Sequence, residues 1–130
     1  MIPAKGRVLL AVEPCDMRRW IEGLRKTVAE RFGEDATSSM YVFANGKRDR
    51  VKILWHTPTG WFVLYKQLDK RRVRLPTVAE GARSIVIDKT TLTLLLDGVP
   101  SRGARPTSRE IAREARRKVG LSTTKSRPQG

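Results

Sequence analysis

The sequence predicts an α+β fold in which an antiparallel β-meander sheet packs with an amphipathic N-terminal helix and a second, short helix. Apolar residues recur every three or four positions through one early segment, at Met17, Ile21, Leu24, Val28 and Phe32. Three short runs rich in β-branched and aromatic residues follow at 40–44, 50–56 and 61–67. The chain of 130 residues is long enough for one such domain with additional residues beyond it.

The N-terminal part predicts a strand followed by the longer helix. Residues 6–12 are mostly aliphatic, and Pro14 ends the run because proline lacks the amide that a central strand needs. Asp16 can cap a helix by accepting backbone amide hydrogens, so we expect the helix to occupy 17–32. Trp20 is expected to widen the apolar stripe of this helix.

Short turns are expected to join the middle strands into a meander. Asn45 and Gly46 both tolerate positive φ, and they predict the first hairpin turn. Residues 57–60 predict the second turn, and residues 73–76 predict a fourth strand.

Within 50–56, side chains alternate between the two faces of the sheet. One face carries Val51, Ile53 and Trp55, which we expect in the core. The other face carries Arg50, Lys52, Leu54 and His56, so we expect it to be partly solvated.

The remaining chain predicts two short elements and a basic tail. Residues 84–87 predict a strand, and Asp88 is a suitable cap for a helix over 89–96, although the alternation of Thr and Leu there also fits a strand. We therefore divide the chain into an α+β domain, 1–100, and a basic tail, 101–130, that is partly helical or disordered. The tail contains nine Lys or Arg and two Glu, which is half of the total net charge.

The net charge of +14 and the pI of about 11.1 indicate a polyanionic partner, most often nucleic acid. The alternative is a basic soluble protein whose charge only prevents aggregation. Cys15 is the single cysteine, so no internal disulfide can form, and this suits a reducing cytoplasm. The apolar run 8–12 is too short for a signal sequence or membrane span, so we expect a cytoplasmic protein.

Basic side chains are the candidate nucleic-acid contacts. They are Arg18, Arg48, Arg50, Lys52, Lys66, Lys70, Arg71, Arg72 and Arg74, with Arg113, Arg116 and Arg117 in the tail. Arginine and lysine would contact phosphates, which positions a nucleic acid without reading its sequence. A solvated charged face is the competing interpretation for the segment 70–74.

Three further groups of residues have open interpretations. Asp49 is either a turn residue with a weak ion pair or a carboxylate that orients Arg50 toward a phosphate or a guanine edge. Aromatic residues of the strands could stack bases or fill the core, and we favour the core for Trp55 and Phe62. Asp16 is interpreted as a helix cap. Arg18 is either a solvated arginine or a phosphate contact near the start of the helix.

The sequence contains no pattern that predicts catalysis or a cofactor. His56 is the only histidine and the aspartates are scattered, so neither a zinc set nor a two-metal carboxylate cluster is expected. Phosphate-binding loops, dinucleotide fingerprints and nucleophile elbows are also absent from the sequence. We expect no enzymatic activity and no cofactor, and a nuclease is the least favoured function.

Three blocks of sequence resemble the TnpB accessory protein of the insertion sequence 66 family of bacterial transposable elements. The blocks are CDMRRWIEGL at 15–24, YVFANGKRDRVKILWHTPTGWFVLYKQLDKRRVRLP at 41–76 and LTLLLDGV at 92–99. The resemblance implies a small accessory protein needed for efficient transposition, and it supplies no known catalytic activity.

Two functions are therefore compared below. The first is a non-enzymatic DNA-binding accessory protein that contacts transposon ends or DNA of any sequence. The second is an adaptor that binds the transposase or another element-encoded protein.

Overall fold

A computed structural model describes residues 6–100, which form five strands and two helices. The elements in chain order are β1 (Arg7–Ala11), α1 (Ile21–Phe32), β2 (Ser39–Ala44), β3 (Arg50–Thr57), β4 (Gly60–Gln67), β5 (Ser84–Ile87) and α2 (Lys89–Leu96). The predicted α+β class, the N-terminal helix and the short second helix are confirmed. The stretch rich in Thr and Leu is helical, and the Asp88 carboxylate accepts the Thr91 amide hydrogen at its start.

The sheet is mixed, with the order β4-β3-β2-β1-β5. Strands β2, β3 and β4 form the predicted antiparallel meander. Strand β1, in contrast, pairs parallel with β2, from Arg7 opposite Ser39 to Leu10 opposite Val42. The predicted meander did not include this pair, which is parallel because α1 returns the chain to its starting end, as a crossover between parallel strands must.

Apolar residues pack on both faces of the sheet. Leu24 and Val28 of α1 are fully buried against one face, together with Tyr41, Phe43 and Leu54. On the other face, buried residues of α2 and of the segment after β4 pack against the sheet; they include Leu68, Val73, Leu75, Leu92 and Leu95. The central strands are therefore covered on both sides, and β4 is left at one edge.

Helix α1 begins later than the sequence predicts. The Asp16 carboxylate accepts the Arg18 amide hydrogen, which caps a turn, and Trp20 stands at the N-terminus of α1 without a side-chain capping bond. The carbonyl oxygens of Met17 and Arg19 accept hydrogen bonds from the buried Lys52 ammonium at 2.6 Å each. These bonds hold residues 17–20 in a non-helical path toward the sheet.

The first hairpin loop also differs from the prediction. Arg48, and neither Asn45 nor Gly46, has the positive φ, at 63°. The Asn45 side-chain oxygen accepts the amide hydrogens of Asp49 and Arg50, so a wider loop replaces the tight two-residue turn. The predicted fourth strand at 73–76 is an irregular segment with a single bridge at Pro76.

Candidate nucleic-acid interface

Two backbone hydrogen bonds hold the segment after β4 against the first hairpin loop. The Leu68 amide donates to the Asp49 carbonyl at 2.7 Å, and the Val73 amide donates to the Arg48 carbonyl at 2.6 Å. Leu68 and Val73 are themselves buried in the core. The fold therefore places two basic stretches that are distant in sequence, 47–50 and 70–74, beside each other.

The segment 45–74 carries the positive charge of the folded part of the chain. It contains nine Lys or Arg and two acidic residues. The rest of residues 6–100 contains eight Lys or Arg and nine acidic residues. Because the remainder is almost neutral, any electrostatic attraction of the folded part toward a polyanion is concentrated here.

Six of the twelve predicted contact residues lie on this surface, which we call the basic surface. It comprises Arg48, Arg50, Lys70, Arg71, Arg72 and Arg74. Of these, Arg50, Lys70, Arg71 and Arg72 are exposed, and Arg48 and Arg74 are half-buried. Lys66 lies on the opposite face of the sheet from Arg50, because Arg50 pairs with Gln67 across β3 and β4. The predicted contacts at 48–50 and 70–74 are thus brought together by the fold.

The hairpin loop is stabilised from within. The Asp49 carboxylate accepts a hydrogen bond from the Asn45 side-chain amide at 2.7 Å, and this bond holds the Asp49 pKa below its ordinary value. The positive charges of Arg50 and Arg72 lower the Asp49 pKa further. Asp49 therefore shapes the loop as a turn residue, which was one of its two interpretations.

The C-terminal end of α2 contacts two of the predicted cations, Lys66 and Arg71. Lys66 Nζ lies 3.3 Å from the Asp97 carboxylate, and Arg71 Nη1 donates to the Asp97 carbonyl at 3.3 Å. Gly98 has φ of 67°, and a Cβ there would lie 2.6 Å from the Arg71 Cβ. The position of Arg71 thus depends on a glycine at the end of the second helix.

Lys52 is a correction to the predicted set. Its side chain is fully buried and it donates to two carbonyls, with its ammonium 3.4 Å from the centroid of the Trp20 ring. Burial lowers the pKa of Lys52. Its face of β3 was expected to be partly solvated, but α1 and the segment before it cover this position. Lys52 therefore cannot contact a phosphate in this structure and instead anchors the chain before α1.

Arg18 lies away from the basic surface, on the side of α1. Its guanidinium holds the Asp16 carboxylate at 2.8 Å while remaining 91% exposed. This pairing, through hydrogen bonds first and charge second, lowers the Asp16 pKa to about 2. Arg18 is thus available to solvent, but with a neutralising partner.

The aromatic predictions were right in one case and wrong in another. Trp55 is buried as expected, whereas Phe62 is 41% exposed with its ring stacked on Trp55 at 5.0 Å. Phe62 is not fully covered because it lies on β4, the edge strand. Trp20 is 53% exposed, since α1 begins after it and its ring does not join the helical stripe. The sequence pattern contained no signal that the helix begins one turn later than predicted.

Three predicted contacts, Arg113, Arg116 and Arg117, lie outside the described residues, as does the proposed tail. Within residues 6–100, no group of three His, Cys, Asp or Glu side chains could hold a metal ion. In this same part of the chain, no helix combines the length and the apolar character that crossing a membrane requires.

The comparisons with known proteins agree with the three resembling blocks. A family model described as "IS66 Orf2 like protein" matches residues 6–106, which includes all of the described fold. No curated protein matches the chain, and no solved structure matches it. The chain therefore belongs to the IS66 Orf2-like family, whose members are accessory proteins of insertion-sequence transposition.

Proposed function

We propose that this protein is a non-enzymatic accessory factor that binds DNA during transposition. The observation that carries the proposal is the docking of residues 68–73 on the hairpin loop through the two backbone hydrogen bonds. That docking brings the cations of the hairpin loop and of residues 70–74 onto one surface, and a surface of a single sign favours a polyanion.

The exposed cations of the basic surface would make the first contacts. Arg50, Lys70 and Arg72 are exposed, and guanidinium and ammonium groups bind phosphate oxygens strongly. Such contacts fix orientation without reading bases, so the folded part would bind DNA with little sequence preference. Residues 101–130, with a net charge of +7, would add further affinity of the same kind.

A mobility-shift titration with salt tests the proposal. The full chain is mixed with a duplex from the element ends or with a random duplex of equal length, at ionic strengths from about 0.05 to 0.2 M. Because phosphate contacts release counterions, log affinity should fall linearly with log salt. Preference for the ends would indicate a specific factor, and equal binding a charge-driven one. Absence of binding to either duplex at low salt would refute DNA binding.

A matched pair of double variants locates the contact. Arg50→Ala with Arg72→Ala should make the salt slope shallower by roughly two units, since each phosphate contact contributes about 0.9. Arg7→Ala with Lys26→Ala removes the same charge away from the basic surface and should leave the slope close to that of the unmodified chain. Equal effects of the two double variants would show that only net charge matters.

Truncation after residue 100 tests the tail separately. A shallower slope is expected, because nine basic residues are lost. An unchanged slope would exclude the tail as a phosphate contact and assign the binding to the basic surface.

A second candidate function is an adaptor for the transposase or another element-encoded protein. Strand β4 favours it, because this strand of eight residues lies at the edge of the described sheet. Edge strands can pair with an extended segment of another protein. Binding to the purified transposase with negligible affinity for duplex DNA at about 0.15 M salt, where surface charge is screened beyond roughly 8 Å, would support this function.

A further inference from the structure

Two exposed aromatic rings lie together on the α1 side of strand β4. Trp20 is 53% exposed and Tyr65 is 41% exposed, and they are two of the four large hydrophobic residues that residues 6–100 expose. Their ring centroids are 6.2 Å apart, with an angle of 58° between the ring planes. A pair of this kind presents aromatic surface to solvent at one place instead of scattering it.

The rings are held in position by the buried Lys52. Its ammonium lies 3.4 Å from the centroid of the Trp20 ring and 5.6 Å from that of Tyr65. The same ammonium binds the carbonyls of Met17 and Arg19, and the latter directly precedes Trp20 in the chain. The Trp20 ring is therefore fixed on its inner side. A ligand that stacks on its outer side would lose little affinity to the entropic cost of ordering this side chain.

Arginines lie beside Trp20 on this side of the sheet. An open groove of about 720 Å³ beside Trp20 is lined by Arg18, Arg19 and Glu22 among others. Arg25 lies over the Trp61 ring on the same side, 4.5 Å from its centroid. Carboxylates neutralise part of this charge, since Asp16 pairs with Arg18 and Glu22 pairs with Arg25. The surface thus combines flat aromatic area with modest positive charge.

We propose that Trp20 and Tyr65 form a stacking platform for the bases of single-stranded DNA. This proposal rests on the proposed DNA-binding function and adds a second contact with a different chemistry. Aromatic side chains flanked by cations bind single strands by stacking on unpaired bases, which every base permits. Bases of a duplex are stacked on each other, so the platform selects unpaired DNA, whereas the basic surface accepts any phosphate backbone.

The test compares two strands that carry the same phosphates. The probes are a thymidine dodecamer and an abasic dodecamer, each titrated into the full chain at several salt concentrations. Stacking predicts at least tenfold tighter binding of the thymidine strand, and because stacking involves no counterion release this ratio should stay nearly constant with salt. Equal affinity for the two probes would overturn the proposal.

Variants assign the preference to the platform. Trp20→Ala and Tyr65→Ala should each reduce the ratio severalfold, and Trp20→Phe should retain most of it because a ring remains. Phe62→Ala is the matched control, since Phe62 has the same 41% exposure as Tyr65 but lies on the opposite face of β4. A reduction by Phe62→Ala equal to that by Tyr65→Ala would refute the platform.

Two precautions keep the outcome interpretable. Trp20→Ala uncovers Lys52 and can destabilise the fold, so Tyr65→Ala decides the question if the first variant fails to fold. Duplex binding in the same titrations separates the two proposals. Salt-dependent duplex binding without a preference for the thymidine strand would refute the platform alone. Absence of any salt-dependent binding would refute the DNA-binding function as well.

Discussion

The region around α1 and the basic surface use the same residue types in opposite ways. Around α1, Arg18 pairs with Asp16 at 2.8 Å. Arg25 pairs with Glu22 at 3.1 Å, and a similar pair joins the start of β1 to the chain after α1. In the segment 45–74, only two carboxylates accompany nine cations. The first region neutralises most of its charge internally, and the second has an excess that its own carboxylates cannot balance.

Strand β3 shows the same contrast within two residues. Arg50 and Lys52 share one face of the strand, yet Arg50 is exposed at the hairpin end and Lys52 is fully buried under Trp20. Whether a cation is available to bind a ligand or stabilises the fold therefore depends on what covers it, and residue type alone does not determine its role. The predictions below separate these two roles.

The largest effect is expected from reversing charge on the basic surface. Arg50→Glu with Arg72→Glu should weaken duplex binding by at least about 100-fold at low salt, because two attractive phosphate contacts become repulsive. Thermal unfolding should remain close to that of the unmodified chain, since both side chains are exposed. Mobility shifts and circular dichroism measure the two quantities. Retained affinity with an intact fold would contradict the assignment of this surface.

Replacing the buried cation should have the opposite signature. Lys52→Met leaves the Met17 and Arg19 carbonyls without their donor, and we expect the free energy of unfolding to fall by about 2 kcal/mol. The salt slope of duplex binding should not change. Denaturant unfolding measures the loss, and Lys26→Met, an exposed position on α1, is the matched control. Unchanged stability would show that the two hydrogen bonds do not compensate for burying the ammonium.

Gly98→Ala should affect stability and binding together. A non-glycine residue at φ of 67° costs about 1–2 kcal/mol, and the new Cβ would overlap the Arg71 Cβ, so we expect a loss of about 2 kcal/mol. Displacement of residues 71–72 should also lower duplex affinity severalfold. Gly46→Ala has open space around the added Cβ and serves as the control. Normal stability of Gly98→Ala would contradict the described packing.

The smallest effect concerns the paired region. Titration of the Asp16 carboxyl by NMR should give a pKa of about 2 instead of the ordinary 3.8, and Arg18→Ala should raise it back toward that value. Since the folded pKa is the lower one, the contribution of the pair to stability is complete above about pH 3.8 and is lost as the pH falls toward 2. An ordinary pKa in the unmodified chain would show that the pair does not persist in solution.

Local patterns in the sequence predicted most elements, because each strand and helix has its own apolar period. Long-range features were not predictable in this way. Backbone hydrogen bonds dock residues 68–73 on the hairpin loop, and no side-chain pattern encodes them. The alternation in β3 assigned Lys52 to the correct face of the sheet but could not show that its side chain is buried. The carbonyls that accept its hydrogen bonds lie more than thirty residues away in the sequence. The exposure of Phe62 depends on β4 being an edge strand, which follows from the sheet order alone.

Strand β1 lies between β2 and β5, and this position affects the order in which the sheet can fold. Strands β2, β3 and β4 are adjacent in sequence, so their hairpins can form as soon as residues 39–67 are available. Strand β1 pairs on its other side with β5, where Val8 meets Ile87. During synthesis the first strand must therefore wait, with one edge open, until almost the whole domain has left the ribosome. Early release of a chain that ends before β5 would leave that edge unprotected, and such fragments should aggregate.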